Sequence, residues 1–180
     1  MATVTALRER PRGRVDVELD GAPWRTLPAD AVVRSGLLVG CALDRPAART
    51  LARELRLSSA LFRATRTLEH RDRSQAAVRR RLAAAGVPGQ AAEDAIGALE
   101  RSGILDDARA AAARAQGLAG RGYGDAAVRF TLEEEGFGGE PLEAALAGLA
   151  PEAERARALL AAGRSARWLA ARGFEVASDT

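Results

Sequence analysis

Residues 74–87, SQAAVRRRLAAAGV, recur fifty residues further on as residues 124–137, GDAAVRFTLEEEGF. The shift pairs Val78 with Val128, Leu82 with Leu132, and Gly86 with Gly136. In both copies the two apolar residues are four positions apart, which places them on one face of a helix. The glycine then stands where a helix commonly ends in a left-handed residue. We therefore predict that each stretch is one helix of a repeating unit.

The same shift extends the repeat into a second helix and toward the end of the chain. It pairs Ile96 with Leu146 and Leu99 with Leu149, and the late segment LAARGF (169–174) is similar to LEEEGF (132–137). A unit of about 50 residues with three short helices cannot bury its apolar faces alone and must stack on its neighbour. The predicted fold is mainly α, with tandem three-helix repeats in an elongated, curved array.

The first 43 residues have a different pattern. Residues 3–7 and 15–19 alternate apolar with polar side chains, and the Asp20-Gly21 pair is a tight-turn signal. We predict a small β-hairpin or meander there, with Pro23 on an edge strand. A helix break is predicted at Leu57-Ser58-Ser59. The predicted divisions are 1–43 for the strand-rich segment, 44–105 for the first repeat with a lead-in helix, 106–151 for the second repeat and 152–180 for a partial third.

The composition excludes several kinds of site. The chain has one histidine, His70, and one cysteine, Cys41, so a zinc site or a histidine-based catalytic triad lacks its ligands or partners. We predict a protein that is not an enzyme and needs no cofactor or metal. No apolar run has membrane-spanning length and no signal peptide is evident, so we expect a cytoplasmic protein without membrane contact, and a monomer.

The adjacent carboxylates Asp106 and Asp107, in SGILDDARA (102–110), have two interpretations. They are able to bind a metal ion, but only Glu100 is close in sequence as a further ligand. Alternatively, they begin a helix, where Asp106 caps free N–H groups and both charges face the positive end of the helix dipole. We favour the helix cap, which places the pair at the junction between the first and second repeats.

Arginine is concentrated between residues 63 and 81, where seven arginines and two acidic residues give a net charge of +5. One interpretation is a solvated helix face; the other is docking to nucleic acid or to an acidic protein surface. In GLAGRGYG (117–124), an interhelix turn is favoured over a phosphate-binding loop, with contact to a phosphate or partner protein as the alternative. The candidate contact residues are Arg71, Arg73, Arg79, Arg80, Arg81, Arg121, Tyr123 and Arg129.

Four segments together resemble a known family. RDRSQAAVRRRLAAAGV, LERSGILDDARAAAARA, GRGYGDAAVRFTLEEEGF and LAARGF are similar, in this order, to the RecX regulatory proteins of bacteria. The resemblance covers roughly residues 45–175. It implies tandem three-helix repeats and a non-enzymatic modulator that binds the filament of RecA recombinase on single-stranded DNA. It further implies that binding limits the ATPase, strand-exchange and co-protease activities of RecA.

Another interpretation of the same residues is a stand-alone helical DNA-binding protein or transcription regulator. The arginine cluster and the short helix–turn–helix units favour it. The two interpretations differ in the expected partner, which is a RecA protein filament in the first and DNA alone in the second.

Overall fold

A computed structural model describes residues 1–69 and 72–175. An antiparallel sheet comes first and helices follow it. The strands are β1 (Ala2–Arg10), β2 (Arg14–Leu19), β3 (Ala22–Pro28) and β4 (Ala42–Leu43). The helices are α1 (Ala29–Arg34), α2 (Arg45–Leu68), α3 (Gln75–Ala84), α4 (Gly89–Arg101), α5 (Asp107–Gly120), α6 (Asp125–Glu134), α7 (Gly139–Ala147), α8 (Glu152–Ala161) and α9 (Ala166–Ala170). The prediction of a mainly helical chain after a small strand-rich segment is confirmed.

The sheet has the strand order β3-β2-β1-β4. Strands β2 and β3 reverse at Asp20 and Gly21, whose φ angles are +50° and +82°. Two consecutive positive φ angles are typical of the tight hairpin turns that match the twist of paired strands. Strand β3 lies at an edge of the sheet and pairs with one neighbour only. Pro23 and Pro28, which lack a backbone N–H, are tolerated there because an edge strand needs fewer donors than an interior one.

One face of the sheet packs against α1 and α2. The buried side chains of this core are Val4, Val15, Val17, Leu27, Val32, Leu37 and Leu51. They come from three strands, from α1 and the turn after it, and from the first half of α2. The sheet is therefore stabilised by the helices, as expected for a small hairpin-based unit.

Helix α2 is longer than predicted. It runs through Leu57-Ser58-Ser59, where the sequence had suggested a break. The Ser58 hydroxyl donates to Asp30 Oδ1 at 2.9 Å, so the serine has a tertiary partner and does not compete for the local backbone. Ala60, two residues further on, packs in a core with Ala91 and Ala95 of α4. Close packing of these small side chains outweighs the low helix propensity of two serines.

The chain folds into two compact units. Unit 1 comprises Met1–Thr67 and Arg79–Leu99, and unit 2 comprises Leu68–Val78 and Glu100–Thr180. The core of unit 2 is formed by α5, α6 and α7. Its buried residues are Ala110, Ala111, Ala115, Leu118, Val128, Leu132, Phe137, Leu142 and Ala145. Four of these nine residues are alanines, whose small side chains allow close approach of the helix backbones.

Helices α3, α6 and α9 end in the same way. A glycine with positive φ follows each helix, at Gly86 (+71°), Gly136 (+88°) and Gly173 (+78°). The next residue then donates its N–H to a carbonyl five positions back. These bonds join Val87 to Leu82 (3.0 Å), Phe137 to Leu132 (2.9 Å) and Phe174 to Leu169 (3.2 Å). Glycine is favoured in this closure because a side chain is strained at positive φ.

Candidate functional site

The arginines on α3 have unlike surroundings. Arg79 donates to both carboxylate oxygens of Glu93, from Nε at 2.6 Å and from a terminal nitrogen at 2.8 Å. These hydrogen bonds hold the pKa of Glu93 below its ordinary value. Arg80 and Arg81 are exposed on the same helix. The charge of Arg79 is thus engaged within unit 1, whereas Arg80 and Arg81 face solvent.

Arg81 borders a groove between the second half of α2 and the end of α3, which we call the α2–α3 groove. Its volume is about 680 Å³. It is lined by Ser59, Phe62, Arg63, Arg66, Thr67, Arg81, Leu82, Ala84 and Ala85, all in unit 1. Three of these residues are arginines and none is acidic. The groove is within the size range of protein ligand sites and carries positive charge beside an aliphatic floor.

The aromatic residue of the groove is strongly exposed. Phe62 keeps 67% of its surface accessible to solvent. Arg63 and Arg66 are exposed on the same helix. Among the residues that the structure describes, no carboxylate pairs with Arg63, Arg66 or Arg81. The groove therefore combines unneutralised guanidinium groups with an exposed ring.

Arg73, which was also predicted as a contact residue, does not line the groove. Arg73 is half-buried and precedes the first residue of α3, whereas Arg81 lies in the last turn. Arg71 lies outside the described residues, as does His70.

The two adjacent aspartates act on two helices. Asp106 precedes α5, and its Oδ1 accepts the N–H of Arg109 at 3.0 Å. Asp107 is the first residue of α5, but its Oδ1 accepts the N–H of Gln75, the first residue of α3, at 2.8 Å. Asp106 therefore satisfies a free donor of its own helix, whereas Asp107 does so for a helix 32 residues away.

Helix α6 is held at its start in a comparable way. The N–H of Asp125, its first residue, donates to Oε1 of Glu152 at 2.6 Å. Glu152 is the first residue of α8, as Asp107 is the first residue of α5. Arg155 also donates to the carbonyl oxygen of Tyr123 at 2.8 Å and pairs with the Asp125 carboxylate. A carboxylate from a later helix thus satisfies the first N–H of both α3 and α6.

Tyr123 takes part in a stack of arginine and aromatic side chains within unit 2. The Arg172 guanidinium lies 4.7 Å from the Tyr123 ring centre and 4.6 Å from that of Trp168. Arg164 covers the Trp168 ring at 5.0 Å. Arg172 also donates to the carbonyl oxygen of Arg121 at 3.1 Å. This stack holds α9 on the turn between α5 and α6. The Tyr123 ring therefore already has a partner within the chain.

Arg121 and Arg129 complete the predicted set. Arg121 is exposed in the turn before α6. Arg129 donates to both oxygens of Glu143 at 2.6 and 2.8 Å, and these bonds hold the pKa of Glu143 below its ordinary value. The pair Arg129–Glu143 lies fifty residues after Arg79–Glu93. Among the predicted residues, Asp106, Asp107, Arg79, Tyr123 and Arg129 thus have intramolecular partners, whereas Arg80, Arg81 and Arg121 are exposed.

The α2–α3 groove draws on residues that sequence patterns did not single out. Arg63 and Arg66 belong to the predicted arginine cluster, but Phe62 does not. An aromatic residue directly before two arginines at spacing i,i+3 was the available signal. Within residues 1–69 and 72–175, no group of three or more histidine, cysteine or acidic side chains is arranged to bind a metal ion. No helix in these ranges is long and apolar enough to cross a membrane.

Comparison with known proteins identifies relatives of one kind. Regulatory protein RecX of Xanthomonas oryzae pv. oryzae strain MAFF 311018 is 35% identical over 127 residues, which cover 63% of this chain and 79% of that protein. Regulatory protein RecX of Xanthomonas axonopodis pv. citri strain 306 is 39% identical over 85 residues, which cover 47% of this chain and 52% of that protein. The crystal structure of a regulatory protein RecX has the same fold, with a TM-score of 0.81 and 21% sequence identity. The match covers 97% of this chain and 95% of that chain. No protein-family model matches the chain.

Proposed function

The chain belongs to the RecX family of regulatory proteins, and from this premise we propose that it binds the filament of RecA recombinase on single-stranded DNA. Binding limits the ATPase, strand-exchange and co-protease activities of RecA. The protein acts without a cofactor, as a non-enzymatic regulator and a monomer, in the cytoplasm. The observation that carries the proposal is the 35% identity to a RecX relative, 79% of which the chain covers.

We further propose that residues 44–105, 106–151 and 152–180 are two three-helix repeats and a partial third, stacked in an elongated, curved array behind the strand-rich segment 1–43. Three recurrences support the repeat. They are the glycine closures after α3, α6 and α9, the carboxylates on the first N–H of α3 and α6, and the Arg79–Glu93 and Arg129–Glu143 pairs. A repeating array offers the same kind of surface at intervals. It therefore suits a filament that presents the same protomer repeatedly, where many weak contacts add by avidity.

The competing function is direct DNA binding without a recombinase. The exposed arginines Arg63, Arg66, Arg80 and Arg81 favour it, because guanidinium groups bind phosphates through charge-assisted hydrogen bonds. The two functions differ in what determines affinity. DNA binding alone depends steeply on salt and is indifferent to the presence of RecA, whereas filament binding requires the protein surface.

A single titration separates the two functions. The protein is added to RecA–single-stranded DNA filaments and to the same DNA without RecA, at several salt concentrations, while ATP hydrolysis is followed. We expect tighter binding to filaments and loss of ATP hydrolysis at a ratio well below one protein per RecA. Equal affinity for both targets with one steep salt slope, and unchanged hydrolysis, would contradict the proposal.

A further inference from the structure

We propose that the α2–α3 groove is a docking site for an acidic segment of a partner protein, with carboxylates for Arg63, Arg66 and Arg81 and an aliphatic side chain for the groove floor. The inference rests on the proposed function, because the recombinase filament supplies that segment. It goes further by assigning the contact to one groove and stating the chemistry of the occupant.

The α2–α3 groove is positively charged. Arg63, Arg66 and Arg81 all line it, and no acidic residue does. Elsewhere in unit 1, arginines reach carboxylates of the same unit, as Arg79 reaches Glu93. Three guanidinium groups around one depression repel one another, and an acidic occupant relieves that repulsion.

Unit 2 has a smaller depression that shares two repeat positions with the α2–α3 groove. A shift of fifty residues carries Arg63 onto Ala113 and Ala85 onto Glu135. Ala113 and Glu135 both line a smaller depression of about 270 Å³ between α5 and the end of α6. The two grooves thus share these two positions, although the second is also lined by Asp72, Ala110, Arg114 and Phe137. Only the second has an acidic residue at the end of its helix.

In the second groove that acidic residue is bound by an arginine. Arg114 Nε lies 3.1 and 3.0 Å from the two oxygens of Glu135, and a terminal nitrogen of Arg114 donates to Oε1 at 2.7 Å. Unit 2 thus fills its depression with its own carboxylate. In the α2–α3 groove, Ala85 stands at the position of Glu135 and no lining residue is acidic, so the groove arginines lack such a carboxylate.

The lining of the α2–α3 groove favours an acidic protein segment over nucleic acid. The internal ligand in the equivalent groove is a carboxylate. The floor is formed by Leu82, Ala84 and Ala85, which suit an aliphatic side chain, and a single aromatic residue, Phe62, lies beside them. A strand of nucleic acid is typically bound by several aromatic side chains that stack successive bases. The groove is therefore better suited to a peptide that has both acidic and aliphatic side chains.

The substitution Ala85→Glu introduces a carboxylate into the groove itself. In Ala85→Glu the new side chain occupies the position of Glu135 and pairs with the groove arginines, which blocks docking. Ala85→Gln has nearly the same size without the charge and is the matched control. Ala85 is exposed, so both variants should fold, and equal melting temperatures check this. We expect Ala85→Glu to weaken filament binding about tenfold or more relative to Ala85→Gln, which adds the same bulk to the groove without the charge.

Two probes identify the occupant. The first is a labelled twelve-residue peptide of glutamates and leucines, compared with its glutamine analogue; the second is a labelled oligothymidylate of twelve nucleotides. We expect the glutamate peptide to bind wild type and Ala85→Gln. We expect no binding of this peptide to Ala85→Glu or to Phe62→Ala. Loss of oligothymidylate binding in Ala85→Glu, with no peptide binding in wild type, overturns the inference in favour of nucleic acid.

The outcomes separate the inference from the proposed function. If wild type neither binds nor inhibits RecA filaments, the proposed function is wrong, and the peptide measurement alone then decides what the groove accepts. If wild type inhibits filaments and Ala85→Glu inhibits them equally well, the proposed function stands and the groove is not the docking site.

Discussion

At the residue scale, Asp106 and Asp107 are neighbours whose carboxylates accept hydrogen bonds from different helices. Asp106 binds the N–H of Arg109 in α5, and Asp107 binds the N–H of Gln75 at the start of α3. A free N–H at a helix start is costly when no acceptor reaches it. The pair thus satisfies one donor at each of two helix starts, which accounts for two carboxylates without a metal ion.

We expect Asp106→Ala to reduce the free energy of unfolding by about 1 kcal/mol, because it removes the N-cap of α5. Asp106→Asn is the matched control and should cost little, since asparagine caps as well as aspartate. Urea denaturation measures both variants. If Asp106→Ala had no cost, or if divalent metal raised the melting temperature of wild type but not of the variant, capping would be the wrong explanation.

Glu54 is the buried carboxylate of unit 1, with 4% of its surface exposed. Burial by itself raises the pKa of Glu54, but hydrogen bonds from Arg34 and Arg53 outweigh it and hold that pKa below its ordinary value of 4.5. Oε2 accepts from Arg34 at 3.0 Å, and Oε1 accepts from Arg53 at 3.0 Å. The folded protein therefore favours the ionised form of Glu54.

This pKa shift makes stability depend on pH. Because the pKa is lower in the folded state, the unfolded state binds more protons, and stability falls as the pH falls. The contribution is fully present well above pH 4.5 and is lost as the pH drops from there through the folded-state pKa. We expect Glu54→Gln to cost about 2 kcal/mol at pH 7 and to flatten the acid dependence. Urea denaturation between pH 3 and 7 measures this; an unchanged pH profile in the variant would contradict it.

At the element scale, the described helices are joined by turns that depend on glycine for two different reasons. Gly86, Gly136 and Gly173 have positive φ, where a side chain is strained. Gly124 has an ordinary φ of −78°, but it packs directly on the turn after α9. Its N–H donates to the carbonyl oxygen of Arg172 at 2.9 Å. The start of α6 and the end of α9 therefore meet through backbone atoms.

We expect Gly124→Ala to destabilise unit 2 by about 3 kcal/mol. A Cβ atom there would lie 2.2 Å from the carbonyl oxygen of Gly173, and backbone cannot move aside as a side chain can. Gly117→Ala in α5 is the control, because its Cβ meets nothing within 4 Å and alanine favours the helix by about 0.5–1 kcal/mol. Urea denaturation followed by circular dichroism should show opposite shifts for the two variants. Equal shifts would mean that the contact of Gly124 with Gly173 does not matter.

At the scale of the whole molecule, the modest net charge of +3 hides a local concentration of unpaired arginines. Arg79 and Arg129 are held by Glu93 and Glu143, so reversing the charge of either would place two carboxylates together and destabilise the fold. Arg80 and Arg81 are exposed, and reversing their charges tests binding without that effect. The distribution of charge is therefore more informative than its total.

We expect Arg80→Glu/Arg81→Glu to weaken filament binding about tenfold or more, with a change in melting temperature of no more than about 2 °C. Arg101→Glu/Arg157→Glu is the control, because both residues are exposed and the net charge changes equally. Filament titrations at fixed salt compare the two. Equal weakening would show that only the total charge matters, and a large fall in melting temperature would assign Arg80 and Arg81 to structure.

Sequence alone determined the features that depend on near neighbours along the chain. The alternation in the first strands, the turn at Asp20-Gly21 and the glycine at the end of each apolar i,i+4 pattern predicted the class and order of the elements. The family resemblance was also present in the sequence, since RDRSQAAVRRRLAAAGV and its later copies occur in order. These features are local because backbone conformation and helix termination depend on a few adjacent residues.

Only the tertiary structure decided which distant groups meet. The Asp107 carboxylate accepts the N–H of Gln75, and Arg79 donates to Glu93. Ser58 donates to Asp30, and α2 is continuous through the break predicted there. The α2–α3 groove likewise depends on which side chains of two helices face each other. Such partners are selected by the packing of apolar faces, which sets the distance and direction between elements. No spacing in the sequence states that geometry, and so the arginines with carboxylate partners and those without could not be separated beforehand.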